Sequence, residues 1–469
     1  MRMPPPLVRL IGAVEPYVPR GALLLASLTL GEAVMGLLRD RVLARSFGAG
    51  PALDAYTSAA IVPGLLLDIV VVGGVQAALL PLFTRLRRED EAAAQLFGRT
   101  IVWVGVVAMV VVAVGLLAGA PLIAAVAVPG FDPAGRDQYV TVLRLLAVTP
   151  AIFAAAIAIG ELLVAHRRFL GYGLGPVLYN GGIAGGAFLL AGPLGIAAPA
   201  VGAIVGAVFY LAVRVWDLRA TRLSLRPAFA IRTGPFREFL VLMVPRMIGQ
   251  PVDDLTHLVG AAIASTLAAG SVTAVVFAWN FESGAVSIVG VAFSVVAFPS
   301  LAAAAAEGDR RRFFATAGRA GLAIVTLSGA GAILMALLAG TVIRVFLGGQ
   351  AFDETAVART SATLIAFALA IPLESLTQLL ARAVYATENT LLPVAAAVIG
   401  FGVMAVLAPL LVGRLGVTGV PLAYAAGFAV RVLTLGLVAI DRGRGLRPPA
   451  GAPTGPRPSA APPSSAPPR

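Results

Sequence analysis

Residues 101–128 read IVWVGVVAMVVVAVGLLAGAPLIAAVAV, a run without a single charged side chain. A hydrocarbon core of about 30 Å takes roughly 20 apolar residues in helical form, so this stretch is long enough to cross a bilayer. Its unbroken apolar character excludes the short strands of alternating polarity that build a transmembrane β-barrel. The rest of the chain follows suit. Of 469 residues, 59% are hydrophobic and 12% charged, with a mean hydropathy of +0.93, against about 45–50% apolar and about 25% charged in a soluble domain. One buried core cannot absorb that excess, and the chain reads as an all-α polytopic membrane protein.

On the same ruler twelve spans are expected, near 21–47, 54–84, 99–127, 139–165, 174–192, 195–216, 236–268, 272–301, 315–343, 360–385, 391–412 and 417–440. Basic residues outnumber acidic ones 35 to 23, giving +12, and every one is an arginine. They cluster at alternate ends of the spans: Arg85, Arg87, Arg88 and Arg99; Arg167 and Arg168; six between Arg214 and Arg237; Arg310, Arg311, Arg312 and Arg319. By the positive-inside rule these ends are cytoplasmic, which places both termini of a multi-pass membrane protein in the cytoplasm. The run that follows Arg20 spans without a small-residue cleavage site, so no signal peptide is expected. The expected organisation is a surface segment at 1–20, a six-helix lobe at 21–216, a cytoplasmic linker at 217–235, a second lobe at 236–440 and a disordered cytoplasmic tail at 441–469.

Composition also removes whole classes of chemistry. Without lysine there is no phosphate-binding P-loop and no Schiff base, and without cysteine no thiol nucleophile, disulfide or thiolate metal site. Two isolated histidines, His166 and His257, make a poor metal site. No cofactor is called for, and no carboxylate or histidine spacing marks an embedded enzyme. The arginines lie between apolar segments rather than on a basic face with interleaved aromatics, which argues against nucleic acid.

The two halves correspond at an offset near 220 residues. Gly98-Arg99 matches Gly318-Arg319, Phe131-Asp132 matches Phe352-Asp353, Pro150 matches Pro372, the Leu-Gly of Gly195 matches that of Gly416, and the turns ending at Gly50 and Gly270 align. A unit of six spans starts both copies on the same side, so two six-helix lobes should face each other across a central cavity, the arrangement that supports alternating access.

Charges at membrane depth cost about 2.5–3.5 kcal/mol each on insertion scales and usually face a cavity or a partner. The first span of each lobe is the most polar: Glu32, Arg39, Asp40, Arg41 and Arg45 in one, Arg246, Gln250, Asp253, Asp254 and His257 in the other. Arg39, Arg45 and Arg246 are the expected phosphate-binding residues, because guanidinium groups hold phosphates bidentately. Arg41 reads as a cap on the outer end of its span. Asp253, Asp254, His257 and Glu374 are the expected set for proton or sodium coupling, with a neutralised ion-pair network as the alternative.

Beyond composition, GLLRDRVLARSFGAGPALDAYTSAAIVPGLL (36–66) resembles the first signature of the MurJ/MviN lipid II flippases, of the multidrug/oligosaccharidyl-lipid/polysaccharide exporter superfamily. HRRFLGYGLGPVLYN (166–180), IASTLAAGSV (263–272), FPSLA (298–302) and YATENTLLP (385–393) extend the likeness over nearly the whole folded chain. The resemblance implies a V-shaped pair of lobes that flips a polyprenyl-pyrophosphate-linked saccharide across the inner membrane for cell-wall synthesis, acting as a monomer among membrane lipids. It implies that Arg39, Asp40 and Asp54 are retained substrate-binding residues, beside Arg45 and Arg246, and it also implies cavity arginines that this chain lacks. Ala33, Leu67-Asp68 and Asn280 stand at arginine positions, Val72 stands at an acidic one, and two further spans expected after the twelfth are replaced by a Pro/Ala/Ser tail. Three other readings stay open: transport of a related polyprenyl-linked oligosaccharide, drug/cation antiport, and a non-transporting scaffold.

Overall fold

The computed structural model describes residues 20–221, 223–249 and 251–447, without the side chains at 20–23, 72–73, 76–77, 245–246, 248–249 and 251. The expected segment before Arg20 and the tail from 448 onward lie outside the described residues. Every regular element among the described residues is helical. The first half comprises α1 (Arg20–Phe47), α2 (Pro51–Leu67), a π-helical stretch (Asp68–Gln76), α3 (Ala77–Glu89), α4 (Glu91–Ala127), α5 (Pro133–Leu146), α6 (Thr149–Ala165), α7 (Leu170–Leu194) and α8 (Ala198–Leu218). The second comprises α9 (Gly234–Gly249), α10 (Pro251–Ala264), α11 (Ser271–Val286), a second π stretch (Ser287–Val291), α12 (Ala292–Ala306), α13 (Arg310–Phe346), α14 (Glu354–Ala368), α15 (Ala370–Tyr385), α16 (Leu391–Leu415) and α17 (Gly419–Gly445).

Seven continuous helical runs among the described residues are long and apolar enough to cross a membrane, and the pair α14–α15, bent by 41°, makes an eighth. Two of these runs, Leu170–Leu218 and Leu391–Gly445, each contain two helices that double back on one another. Ten of the twelve expected crossings are thereby found by apolarity alone. The remaining two, α1 and α9–α10, fall outside these runs: the side chains at 20–23 of α1 lie outside the described residues, and α9 and α10, of 16 and 14 residues, are each too short to cross alone. The last helix runs to Gly445, so the expected tail cannot begin at 441.

The repeat is visible in local detail. Both π stretches begin at matching positions, Asp68 and Ser287. Asp90 and Asp309 cap the two 37-residue helices α4 and α13, and Asp132 and Asp353 cap α5 and α14, each accepting from backbone N–H groups that have no partner within their own helix. Gly195 and Gly416 turn the chain with φ of 51° and 61°, a left-handed conformation that glycine enters without a Cβ clash. These turns bring α7 against α8 and α16 against α17 at backbone contact. A Cβ at Gly206 would stand 2.7 Å from the Tyr179 carbonyl oxygen, and one at Gly427 2.7 Å from that of Gly400. Small residues at such crossings let helix backbones approach where no water drives association.

Within each half the first span packs on the fifth, the second on the fourth, and the fifth on the sixth. The halves meet chiefly through α2 and its π stretch, which touch α9, α10 and α11. The connection 219–233 is strapped to α4, where Arg99 Nε and Trp103 Nε1 donate to the carbonyls of Arg226 and Leu225 at 2.7 and 2.9 Å. Replacing Gly206 or Gly427 by Leu should force the hairpins apart and cost about 1–3 kcal/mol, lowering the melting temperature in detergent. Gly185→Leu, with nothing within 4 Å of its Cβ position, is the control; equal melting of all three proteins would contradict the packing.

Candidate functional site

A cavity of about 500 Å³ opens between the halves. The first half supplies most of its wall: Arg39 and Asp40 from α1, Tyr56 from α2, Tyr179 and Asn180 from α7. Trp279 and Asn280 of α11 close it from the second half. A smaller compartment of about 170 Å³ continues on the other side of Asp68 and Trp279, lined by Asp254 and His257 of α10 and Tyr424 of α17.

At the centre stands one guanidinium. Arg39 donates through Nε to Asp40 at 2.8 Å and through Nη1 to Asn180 Oδ1 at 2.8 Å, while Nη2 pairs with Asp40 at 2.7 Å. Asn280, one of the positions where an arginine is expected, donates to the other Asp40 oxygen at 2.9 Å. The network joins α1, α7 and α11, and so bridges the two halves. Arg39 is the only cation among the described residues lining either compartment, against Glu32, Asp40, Asp68 and Asp254.

The other expected substrate residues lie elsewhere. Arg45 is exposed at the far end of α1, its stem beside Gly349. Six further residues at 100° each turn it about 120° off the Arg39 face and about 9 Å along the axis. The side chain of Arg246 lies outside the described residues. Asp54 does not reach the cavity: it sits in the first turn of α2, 2% exposed, and points at the first turn of α11. There its carboxylate accepts from the Gly270 N–H at 2.6 Å, the Thr273 N–H at 2.7 Å and the Thr273 hydroxyl at 2.6 Å. A helix start carries free N–H groups and partial positive charge, so a carboxylate from the other half is a matched cap.

Repeat-related turns surround this latch. Gly130 N–H donates to Ser265 Oγ at 3.3 Å, Gly48 abuts the Ala351 backbone, and Arg359 donates to the Ala269 carbonyl. Arg41 does cap an end, though of another helix: its Nη1 donates to the Val345 carbonyl in the last turn of α13 at 3.0 Å. The opposite, arginine-rich face is closed by α9, whose Phe236 and Phe239 are buried in one apolar cluster with Phe83 and Phe97 of the first half. Arg85 meets Glu238 through two bonds of 3.0 and 2.5 Å, both residues exposed, and Met243 of α9 covers Gly74 in the π stretch. Exposed ion pairs contribute about 0–1 kcal/mol, so this face is held mainly by apolar burial and the Asp54 face by buried polar contacts.

The expected coupling set is divided. Asp254 and His257 line the smaller compartment, with His257 stacked on Trp279 at 3.7 Å between centroids. Asp253, one residue and about 100° away from Asp254, instead pairs with Arg431 of α17 at 2.5 Å. Glu374 accepts from Tyr424 Oη at 2.7 Å and stands beside Glu282. The sequence reading missed Asn180 and took Asn280 only as the loss of an expected arginine, although a lone Asn between apolar or glycine neighbours in a span is itself a signal.

The family model described as lipid II flippase MurJ matches residues 43–448. Among curated relatives, the chain is 25% identical over 424 residues to a probable lipid II flippase MurJ of Rhizobium tropici, covering 88% of this chain and 79% of the relative. It is 27% identical over 412 residues to that of Thermotoga maritima, covering 87% and 83%. Among solved structures, it is similar to a lipid II flippase MurJ in an inward closed conformation, with TM-score 0.77, 21% identity and 90% of each chain covered. It is also similar to an inward-facing multidrug resistance MATE family transporter, with TM-score 0.74, 14% identity, and 88% and 95% covered.

The latch makes a direct prediction. A hydrogen bond to a charged group contributes about 1.5–3 kcal/mol, so Asp54→Ala should shift the closed-to-open ratio at that face by roughly ten- to a hundredfold. Because the chain has no cysteine, spin labels on Ala134→Cys and Ala268→Cys report the gap between halves; an unaltered distance distribution in Asp54→Ala would refute the latch.

Proposed function

Since the chain belongs to the lipid II flippase MurJ family, we propose that it moves a polyprenyl-pyrophosphate-linked saccharide, lipid II itself, across the bacterial inner membrane by alternating access. The observation that carries this reading is the cavity between two repeated halves, closed by a polar latch on one face and an apolar cluster on the other, with a single guanidinium between them. The arginine-rich face, with both termini, is cytoplasmic, and the Asp54 face is outer. The two lobes, 21–216 and 236–440, rock about α2 as rigid units joined by the 217–235 linker, and one copy suffices because the cavity is built within one chain. The protein transports rather than catalyses.

Arg39 is the headgroup residue in this reading. A pyrophosphate brings charge that a guanidinium binds bidentately, and two of the Arg39 nitrogens already meet Asp40. Substrate entry therefore exchanges the Asp40 contact for a phosphate oxygen and leaves Asp40 to Asn280. That exchange leaves the Asn280–Asp40 bond as the direct tie between α1 and α11, with the substrate beside it, and so places binding next to the contact that joins the halves. The ion gradient enters through the second half, where Asp254, His257 and Glu374 lie around the smaller compartment.

One observation favours a second reading. Four acidic residues against one arginine line the two compartments, together with Trp279, which suits a cationic substrate exchanged for ions. Flipping of fluorescent lipid II by purified protein in liposomes, run beside ethidium efflux, decides between them.

In a strain depleted of its own lipid II flippase, the wild-type chain should restore growth and Arg39→Ala should lose it by at least a hundredfold in plating efficiency. Arg45→Ala, removed from the cavity by its helical position, should complement normally. Full complementation by Arg39→Ala would sink the assignment of Arg39.

A further inference from the structure

Glu282 of α11 is fully enclosed, and no N–H or hydroxyl of the described residues donates to either of its carboxyl oxygens. The group within hydrogen-bonding reach is another carboxyl, that of Glu374 on α15. A carboxylate has only acceptors, so two carboxyl groups can bond each other only with a proton between them. Carboxylates packed together in a medium of low dielectric do not both ionise. Glu374 has its own second partner, the Tyr424 hydroxyl at 2.7 Å, and Tyr424 lines the smaller compartment. The remaining charged or titratable groups acting on the pair are Asp253 on α10 and Arg431 on α17, which are bonded to each other, and His257, whose ring lies 5.7 Å from that of Tyr424.

The two glutamates sit beside irregularities in their helices. Glu282 precedes the second π stretch, Glu374 follows the 41° bend between α14 and α15, and Ser375 lies against Gly290 so closely that a Cβ there would meet its Cα at 2.6 Å. Helix α11 also carries Thr273 in the Asp54 latch and Asn280 in the bridge to Asp40. One rod thus bears the latch, a cavity contact and the buried carboxyl.

We propose that Glu282 and Glu374 form a site for one shared proton, occupied in this closed arrangement and emptied through Tyr424 into the smaller compartment as α11 and α15 part. The proton comes from water as a cation and returns to water, leaving two carboxylates whose repulsion favours separation. The site is thus the coupling element of the transport reading, on which it rests, although its occupancy is measurable without any substrate.

The probe is dicyclohexylcarbodiimide, which reacts with protonated carboxyls in apolar surroundings, applied to the full chain in liposomes from pH 5.5 to 9 and mapped by mass spectrometry. Labelling should fall on Glu282 or Glu374 and decline at least tenfold as the pH rises. Glu374→Gln, whose amide donates to Glu282 and lets it ionise, should reduce labelling of Glu282 across the whole range. Spin labels at Ala134→Cys and Ala268→Cys should show the halves parting with rising pH, and the Glu282→Gln, Glu374→Gln double variant should lose that response. No labelling at either glutamate, labelling indifferent to the partner, or an intact pH response in the double variant overturns the proposal. Labelling as expected without lipid II flipping would instead keep the proton site and remove the flippase reading.

Discussion

The Asp54 carboxylate seated on the first turn of α11 is the contact on which the closed arrangement depends. A helix that starts within a packed protein leaves several N–H groups without partners, and a bilayer offers them no water. Those of α11 are satisfied from the other half, so separating the halves there strands a buried charge and a helix terminus together. Around the latch the turns meet backbone to backbone at Gly48, Gly130 and Gly270, positions where a side chain would hold the halves apart. Contacts of this kind are either made or broken, and closure becomes a choice between two states rather than a gradual narrowing.

Much of this was legible in the sequence, and the parts that were not share a cause. The apolar runs placed the helices to within a few residues, because crossing a bilayer constrains length and polarity directly. The repeat could be read because its markers, the Asp132 and Asp353 caps and the Gly195 and Gly416 turns, answer local backbone requirements that recur wherever the same turn recurs. The direction in which a polar side chain points on its helix is not local. Arg39 and Arg45 look equivalent in the sequence, yet rotation about α1 sends one to the cavity and the other to the far end. Asp54 looked like a cavity residue because nothing in its own neighbourhood reveals that the donors it serves begin the second half's second span. The π stretches and the pairing of Glu282 with Glu374 likewise arise only once distant helices pack.

The departures from the family's arginine pattern acquire a physical meaning at Asn280. A guanidinium at that position would neutralise Asp40 and leave Arg39 free for an anion. The amide instead donates one neutral hydrogen bond, and Asp40 leans on Arg39 for the rest. The centre of the cavity is therefore close to neutral before substrate arrives. An anionic headgroup gains little from long-range attraction here and must win Arg39 by direct competition, so recognition depends on geometry at short range more than on field.

That weak initial attraction bears on how the halves are moved. Shifting a two-state equilibrium from 1:99 to 99:1 takes about 5.5 kcal/mol of differential binding, and one guanidinium that merely exchanges a carboxylate for a phosphate supplies only part of it. A single charge crossing 100 mV contributes about 2.3 kcal/mol, the scale of one hydrogen bond to the Asp54 carboxylate. Substrate exchange at Arg39 and proton exchange at Glu282 act on the same rod, α11, whose first turn holds the latch. Their effects sum at one mechanical point, which is why a cavity with so few cations can still be tied to an opening that neither ligand would drive alone.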